Sequence, residues 1–337
     1  MSENISAPAT VMSDEADSAM EAGDIAGLPL ANEPGLEPDF LIEVYAEKVK
    51  GEGEDSYLYI QGGDATLLAT FDGCGGSGAR GYERARGKTG AYLASRIASG
   101  AVRDWFHEGE AQGGDEAIAL LKQRMSRYLA ECRQALGGES LVRGTLAKEL
   151  PTTCALLMLP HGGQDAMAIW AGDSRCYLLD KGGLHQLTRD DVDSYDPMEN
   201  LRADGVLTNV VSASSDFELH VRWIPVNGPC VALAATDGCF GYLSTPMEFE
   251  RELLATLLES TNPADWERRL QKAFAEVAGD DATLCGVCVG FGTYDALQDA
   301  LAPRYHELCE RYLHDIGDKD DDERRRLWED YRKDYLC

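Results

Sequence analysis

Three strand-length apolar runs in this chain each meet an aspartate at one end, and that pattern limits the folds open to it. Ala65–Phe71 (ATLLATF) runs into Asp72-Gly73, and residues 231–236 (VALAAT) run into Asp237-Gly238. The third run, residues 283–291, is preceded by Asp280 and Asp281. A single Asp-Gly after a strand is an ordinary turn. Three in this context say more, because runs this apolar belong in a core. If the strands are neighbours with those ends aligned, several carboxylates converge. Like charges so close repel and raise one another's pKa unless a cation neutralises them. Hard oxygen donors, with glycines that permit close backbone approach, fit Mg2+ or Mn2+.

Around these runs the chain alternates groups of strands with groups of helices, which predicts α+β layering rather than a regular βαβ repeat. Strands are expected at residues 40–48 and 56–60, then at 153–159, 167–171 and 176–179. Gly182-Gly183 marks a hairpin into residues 184–187, and strands resume at 217–224 and 231–235. Leu93, Ile97, Ala101 and Trp105 form one helical stripe; Leu121, Met125, Leu129, Cys132 and Leu136 form another. Two further helices are expected near 246–259 and 263–278, the second opened by Asn262 as N-cap and Pro263 at the first helical position. Residues 190–215 show no periodicity and read as a long functional loop.

The ends differ in character from this centre. Residues 1–38 read as a disordered acidic tail: from Met1 to Phe40 there are nine acids, no base and four prolines. Residues 39–295 read as the catalytic domain, and 296–337 as a helical extension. In that extension Leu301, Tyr305, Leu308 and Tyr312 keep helical spacing, and Trp328, Tyr331 and Tyr335 follow.

Charge excludes several classes of function. With 31 basic against 59 acidic residues the formal net charge is −28, and no basic run exceeds Arg324-Arg325-Arg326. Nucleic acid and anionic membrane surfaces are poor partners for such a chain. No apolar stretch reaches the ~20 residues of a spanning helix, and the first basic residue is Lys48, so no secretion signal is expected. Ten irregularly spaced cysteines then fit reduced thiols in cytoplasm. The G-x-G-x-x-G of residues 73–78 lacks the acid about 20 residues on that a dinucleotide fold needs. Gly87-Lys88-Thr89 lacks the P-loop's earlier glycine at the required distance. Asp318, Asp320, Asp322 and Glu329 match calcium-loop positions, but Glu323 stands where that loop needs glycine. Cys285 and Cys288 would face opposite sides of a strand.

Taken in order, the remaining motifs resemble those of the metal-dependent serine/threonine protein phosphatases of type 2C. Glu54-Asp55-Ser56-Tyr57 is similar to the family's early acidic motif, and Phe71-Asp72-Gly73-Cys74-Gly75-Gly76 to its FDGHGG. Thr152-Thr153 resembles its GTT, with Pro151 in place of the glycine. Residues 172–175 match GDSR, 187–190 the LT-x-D that follows, 235–238 ASDG, and 280–283 DN-x-T. The resemblance spans roughly residues 40–291.

It implies a central sandwich of two antiparallel β-sheets flanked by helices, with a two-metal centre at one end. By position, Asp72 would bridge both metals, the Gly73 carbonyl would bind one, and Asp237 and Asp280 the other. Glu54 or Asp55 would act in or just beyond that shell, and Asp173 matches a third, weaker metal position. Lys50 occupies the place of the family's phosphate-gripping arginine, as a point charge rather than a fork. Two Mn2+ or Mg2+ ions would yield a bridging hydroxide that attacks phosphoserine or phosphothreonine directly. The implied partners are phosphoprotein substrates and a kinase that forms them. Two departures stand out. Cys74 replaces the histidine proposed as general acid, and Asp281 replaces an asparagine. The first leaves open an alternative, a weak or silent module that binds phosphoproteins in signalling.

Overall fold

Antiparallel pairing organises the chain into two five-stranded sheets. The computed structural model describes residues 38–109, 111, 114–137, 148–162, 165–193 and 206–336. The expected acidic tail therefore lies outside the described residues, as does the middle of the 190–215 loop. The first sheet has the order β1 (Pro38–Ala46), β10 (Ala282–Val289), β9 (Cys230–Ala235), β6 (Arg175–Asp180), β7 (Gly183–Gln186). The second runs β2 (Ser56–Gln61), β3 (Ala65–Phe71), β4 (Cys154–Pro160), β5 (Ala166–Ala171), β8 (His220–Ile224). The central strands β9 and β10 are made of small and aliphatic residues and are buried on both faces, as a sheet covered on both sides requires.

The layers follow from which side chains each strand sends which way. Leu68, Leu157, Leu178, Ala232 and Cys285 fill the space between the sheets. Outside the second sheet, after the one-turn helix α1 (Gly75–Gly78), lie α2 (Gly90–His107) and α3 (Asp115–Ala135), whose Ala94, Ala98, Trp105, Leu121 and Met125 pack on Leu67 and Phe71. Outside the first lie α4 (Pro246–Glu259), α5 (Pro263–Val277), α6 (Tyr294–Glu307) and α7 (Asp321–Tyr335). Cys288 belongs to this outer layer and Cys285 to the inner one, so the pair does face opposite ways.

Two local expectations shift. α2 buries its small face (Ala91, Ala94, Ser95, Ala98), while Leu93 and Ile97 are only half-buried. Small side chains let the helix lie close on the sheet, and larger ones are pushed to its flank. Phe217 and Leu219 are buried, but the β8 ladder starts at His220. Asn262 does cap α5 with Pro263 beginning it, its side chain accepting from the Asp265 amide at 3.0 Å. Among the described residues no helix is long and apolar enough to cross a membrane.

Register decides where the acids go. In antiparallel neighbours the end of one strand lies beside the start of the next. Phe71 at the end of β3 pairs with Ser56 at the start of β2, and Thr70 pairs with Ala155 near the start of β4. In the other sheet Ala235, at the end of β9, pairs with Arg175 at the start of β6 and with Leu284 near the start of β10. Residues just beyond these positions are Glu54, Asp55, Asp72, Asp173, Asp237 and Asp280. One edge of the sandwich collects them all.

Candidate metal centre

At that edge the backbone is packed too tightly for side chains at two positions. A Cβ on Gly73 would stand 2.7 Å from the Ala91 carbonyl oxygen, and one on Gly238 would stand 1.8 Å from that of Asp281. Glycine after Asp237 thus lets the β10 entry, with Asp280 and Asp281, close against the β9 exit. Asp72 is held through its main chain: its carbonyl accepts from the Thr153 amide and the Thr152 hydroxyl, both at 2.8 Å. Its amide donates to Thr153 Oγ1 at 3.2 Å. With the backbone fixed, the Asp72 carboxylate stays directed into a cleft of about 1400 Å³, also lined by Gly73, Cys74, Asp173, Asp237 and Asp280.

The carboxylates are crowded. Burial first, then the charges of Asp55, Asp237 and Asp173, push Asp72 well above the usual carboxylate range. Burial and then Asp237 do the same to Asp173. Asp237 is raised too, by burial first, and its carboxyl group lies within hydrogen-bond reach of Asp72. Asp280 is exposed at the rim and accepts from the Asp281 amide at 2.8 Å. Among the described residues no group of three or more His, Cys, Asp or Glu side chains closes into a cage. The donor set nonetheless fits a hard divalent cation: all oxygen, several carboxylates in contact or near contact, and each of the buried ones destabilised by its neighbours' charge. Mg2+ in particular keeps several waters and needs few protein ligands.

The other predicted residues take distinct places. Asp55 is buried, and one of its oxygens accepts from the hydroxyls of Thr236 and Thr283, both at 2.8 Å. Burial raises its pKa strongly. It ties β2 to β9 and β10 beneath the cleft. Glu54 accepts from the Thr89 hydroxyl at the start of α2, and Gly75 leaves room for its other oxygen. Asp281 accepts the Lys48 amide at 2.8 Å and the Glu54 amide at 2.7 Å, one on each oxygen. An asparagine has only one such acceptor, so the aspartate gains a bond that fixes the 48–54 loop. Lys50 is exposed in that loop and is not among the described residues lining the cleft. Cys74 lines it, and burial followed by the charge of Asp72 pushes the thiol well above its ordinary pKa.

Beneath Asp173 lies a second network. Arg175 donates to both oxygens of Asp190, at 2.9 and 2.7 Å, and its guanidinium rests 4.2 Å from the centre of the Phe240 ring. Ser174 Oγ and Thr153 Oγ1 are 2.6 Å apart, linking this loop to the Asp72 clamp. The sequence assigned Thr152 and Thr153 to a motif without a role. Lys148, which also lines the cleft, carried no local signal, and Arg324, which lines it too, was readable only from its spacing to Trp328, Tyr331 and Tyr335.

Two antiparallel sheets between helical layers, with acids at one edge, form the architecture of the PPM-type serine/threonine phosphatases. Stp1 of Staphylococcus aureus, a serine/threonine phosphatase, superposes with a TM-score of 0.58 at 17% identity, covering 78% of this chain and 99% of its own. PstP/Ppp of Mycobacterium tuberculosis, another, gives 0.51 at 18%, covering 74% and 98%. PppA of Pseudomonas aeruginosa, a key regulatory component of T6SS, gives 0.51 at 22%, covering 74% and 100%. No curated protein sequence matches the chain. The family model for protein phosphatase 2C matches residues 47–275. The chain belongs to that family, and by family and fold it is a protein serine/threonine phosphatase.

Proposed function

We propose that this protein hydrolyses phosphoserine and phosphothreonine in cytoplasmic phosphoproteins, with Mn2+ or Mg2+ as the required cation. The observation that carries this is the convergence of Asp72, Asp173, Asp237 and Asp280 on one cleft. Asp72, Asp237, Asp280 and the Gly73 carbonyl would hold two ions, with Asp173 available to a third and Glu54 and Asp55 supporting. When bound, such ions lower the pKa of water and offset charge on the phosphoryl oxygens. The chain's own part is to hold these donors in place, through the threonine clamp on Asp72 and the Asp55 tie beneath them. Attack by water forms a P–O bond and breaks the bond to the seryl or threonyl oxygen, which must take up a proton. Cys74 carries one at neutral pH, but a thiol whose pKa is raised so far gives it up reluctantly.

That last point favours a second reading, a slow enzyme or a module that retains phosphoproteins. One comparison separates the two. Hydrolysis of a phosphothreonine peptide and of an aryl phosphate is measured with Mn2+ and with chelator. Turnover that chelator abolishes is the expected result; turnover undiminished in chelator would refute the mechanism, and binding without turnover would favour the module. Cys74→His should then accelerate the peptide more than the aryl phosphate, whose leaving group needs little protonation. Equal effects on both would remove Cys74 from proton transfer.

A further inference from the structure

A cleft with mostly acidic walls has to admit a phosphoryl group, so each cation that faces it counts. Positive charge aimed at the oxygens stabilises a phosphoryl group during transfer. Among the described residues, Lys148, Arg175 and Arg324 are the basic side chains of the lining. Arg175 is committed to both oxygens of Asp190, and Arg324 is already engaged. Lys148 differs from both. Among the described residues no carboxylate pairs with its ammonium group, and no acceptor takes a hydrogen bond from it. Lys50 is exposed in its own loop, outside that lining.

The segment that carries Lys148 is held at several points. The Glu149 amide donates to Ser214 Oγ at 3.0 Å, and the Glu149 carbonyl accepts from the Ala213 amide at 2.8 Å. The Glu149 carboxylate pairs with Arg133 of α3. Leu150 is buried with a φ of 53°, a left-handed conformation that a leucine keeps only where its surroundings impose it. The Pro151 carbonyl then accepts from the Cys74 amide at 3.2 Å, and Thr152 and Thr153 clamp Asp72. One short segment thus has Lys148 at its start and the clamp on Asp72 at its end. The Lys148 charge acts on the Cys74 thiol, two residues after Asp72, so the ammonium stands on the Asp72 side of the cleft.

An ammonium group is a compact charge with three donors and no acceptor. It can meet the oxygens of a phosphoryl group without demanding one angle of approach. We propose that Lys148 is a phosphate-binding residue of this cleft, donating to an oxygen of the phosphoryl group on the substrate. The inference rests on the phosphatase reading above and deepens it. The charge that motif order assigns to Lys50 comes instead from the segment that leads into β4.

The test compares full-length protein with Lys148→Gln, Lys148→Arg and Lys50→Gln in saturating Mn2+. Three quantities are read: kcat and KM for a phosphothreonine peptide, and the inhibition constant of inorganic phosphate. Lys148→Gln should raise KM and the phosphate inhibition constant together, by about tenfold or more, as expected for one lost charge-assisted hydrogen bond. Lys148→Arg, which keeps the charge, should recover most of both. The Mn2+ concentration for half-maximal activity should not rise in Lys148→Gln, because removing a positive charge beside carboxylates cannot weaken their hold on a cation. An unchanged KM and inhibition constant in Lys148→Gln would overturn the proposal. So would a loss that more Mn2+ cures, or the same loss appearing in Lys50→Gln instead.

Should no peptide be turned over, the phosphatase reading fails separately, and inorganic phosphate alone is the probe. A phosphate-dependent rise in melting temperature, present in wild type and Lys148→Arg and lost in Lys148→Gln, would still support the assignment. No rise in the wild type, or an equal rise in Lys148→Gln, would overturn it.

Discussion

Buried charge is handled in two opposite ways on the two flanks of this sandwich. Under the helices, Arg304 meets Glu250 with both side chains nearly inaccessible. That acid has a guanidinium across from it, held by two hydrogen bonds, and the Arg175–Asp190 pair beneath Asp173 is built in the same way. At the cleft, Asp72, Asp173 and Asp237 have mainly one another, and their proton affinities rise accordingly. Burying a charge without a partner costs several kcal/mol. A chain that pairs its charges elsewhere and leaves these three together has a deficit of positive charge at one place, and a divalent cation is the simplest thing to fill it.

Breaking the acidic side of this contrast should have the largest effect on activity. Asp237→Asn removes one of the negative charges and should lower kcat/KM by more than the roughly 10–100-fold seen when residues that only orient metal ligands are changed. Its melting temperature in chelator should be equal to or above that of the wild type, because repulsion with Asp72 is relieved. A large loss of thermal stability in chelator would mean that Asp237 is structural and that the contrast is misdrawn.

Removing the C-terminal part of the paired flank should have the largest effect on stability. Truncation after Tyr294 deletes Leu297, Leu301, Leu308, Tyr312, Trp328, Tyr331 and Tyr335, all buried against the first sheet and its helices. At about 1.5–3 kcal/mol for each large side chain, the loss is comparable to the 5–15 kcal/mol that holds a domain folded. Aggregation or a collapsed melting transition is the expected outcome. An unchanged melting curve with soluble monomer would show that the extension contributes no net docking energy.

A narrower cut separates charge from apolar contact on that flank. Glu250→Gln takes from Arg304 its buried counter-charge, leaving only the partly exposed Glu307 at 3.0 Å, and should destabilise by up to about 3–5 kcal/mol, as breaking a buried pair does. The double variant Glu250→Leu with Arg304→Met should recover most of that, since a buried ion pair gives little net stability over apolar residues of similar volume. Denaturant unfolding measures both. A double variant no more stable than the single one would mean that the network with Tyr331 matters more than charge balance.

Much of this arrangement is legible in the chain, and the illegible part has a common physical cause. Asp72, Asp237 and Asp280 are marked by apolar runs beside them, a local pattern. Asn262-Pro263 is likewise local and is found where the sequence puts it. That the acids share one edge depends on antiparallel register between strands far apart in sequence, which no local pattern encodes. The same applies to Lys50, which the motif order places near phosphate while the loop carries it to an exposed turn outside the cleft lining. It applies to Asp55, whose two threonine partners come from β9 and β10. Leu93 and Ile97 mislead for a related reason: periodicity fixes a helix's stripe, but contact with the sheet selects the smaller side chains beside it.

The finest test of the contrast uses two helix caps that are alike locally and differ only in what lies beyond them. Thr89 caps α2 by accepting from the Tyr92 amide at 3.1 Å, and Asn262 caps α5 by accepting from the Asp265 amide at 3.0 Å. Replacing either by alanine should cost about 1 kcal/mol of stability, the usual value for a lost N-cap. Thr89, however, also donates its hydroxyl proton to Glu54 at the metal end, whereas Asn262 stands on the paired flank. Thr89→Ala should therefore raise the Mn2+ concentration needed for half-maximal activity, and Asn262→Ala should leave it unchanged at equal stability loss. If both shift the metal requirement alike, the effect comes through global stability. If neither does, Glu54 takes no part in holding the cation, and the metal site narrows to the aspartates.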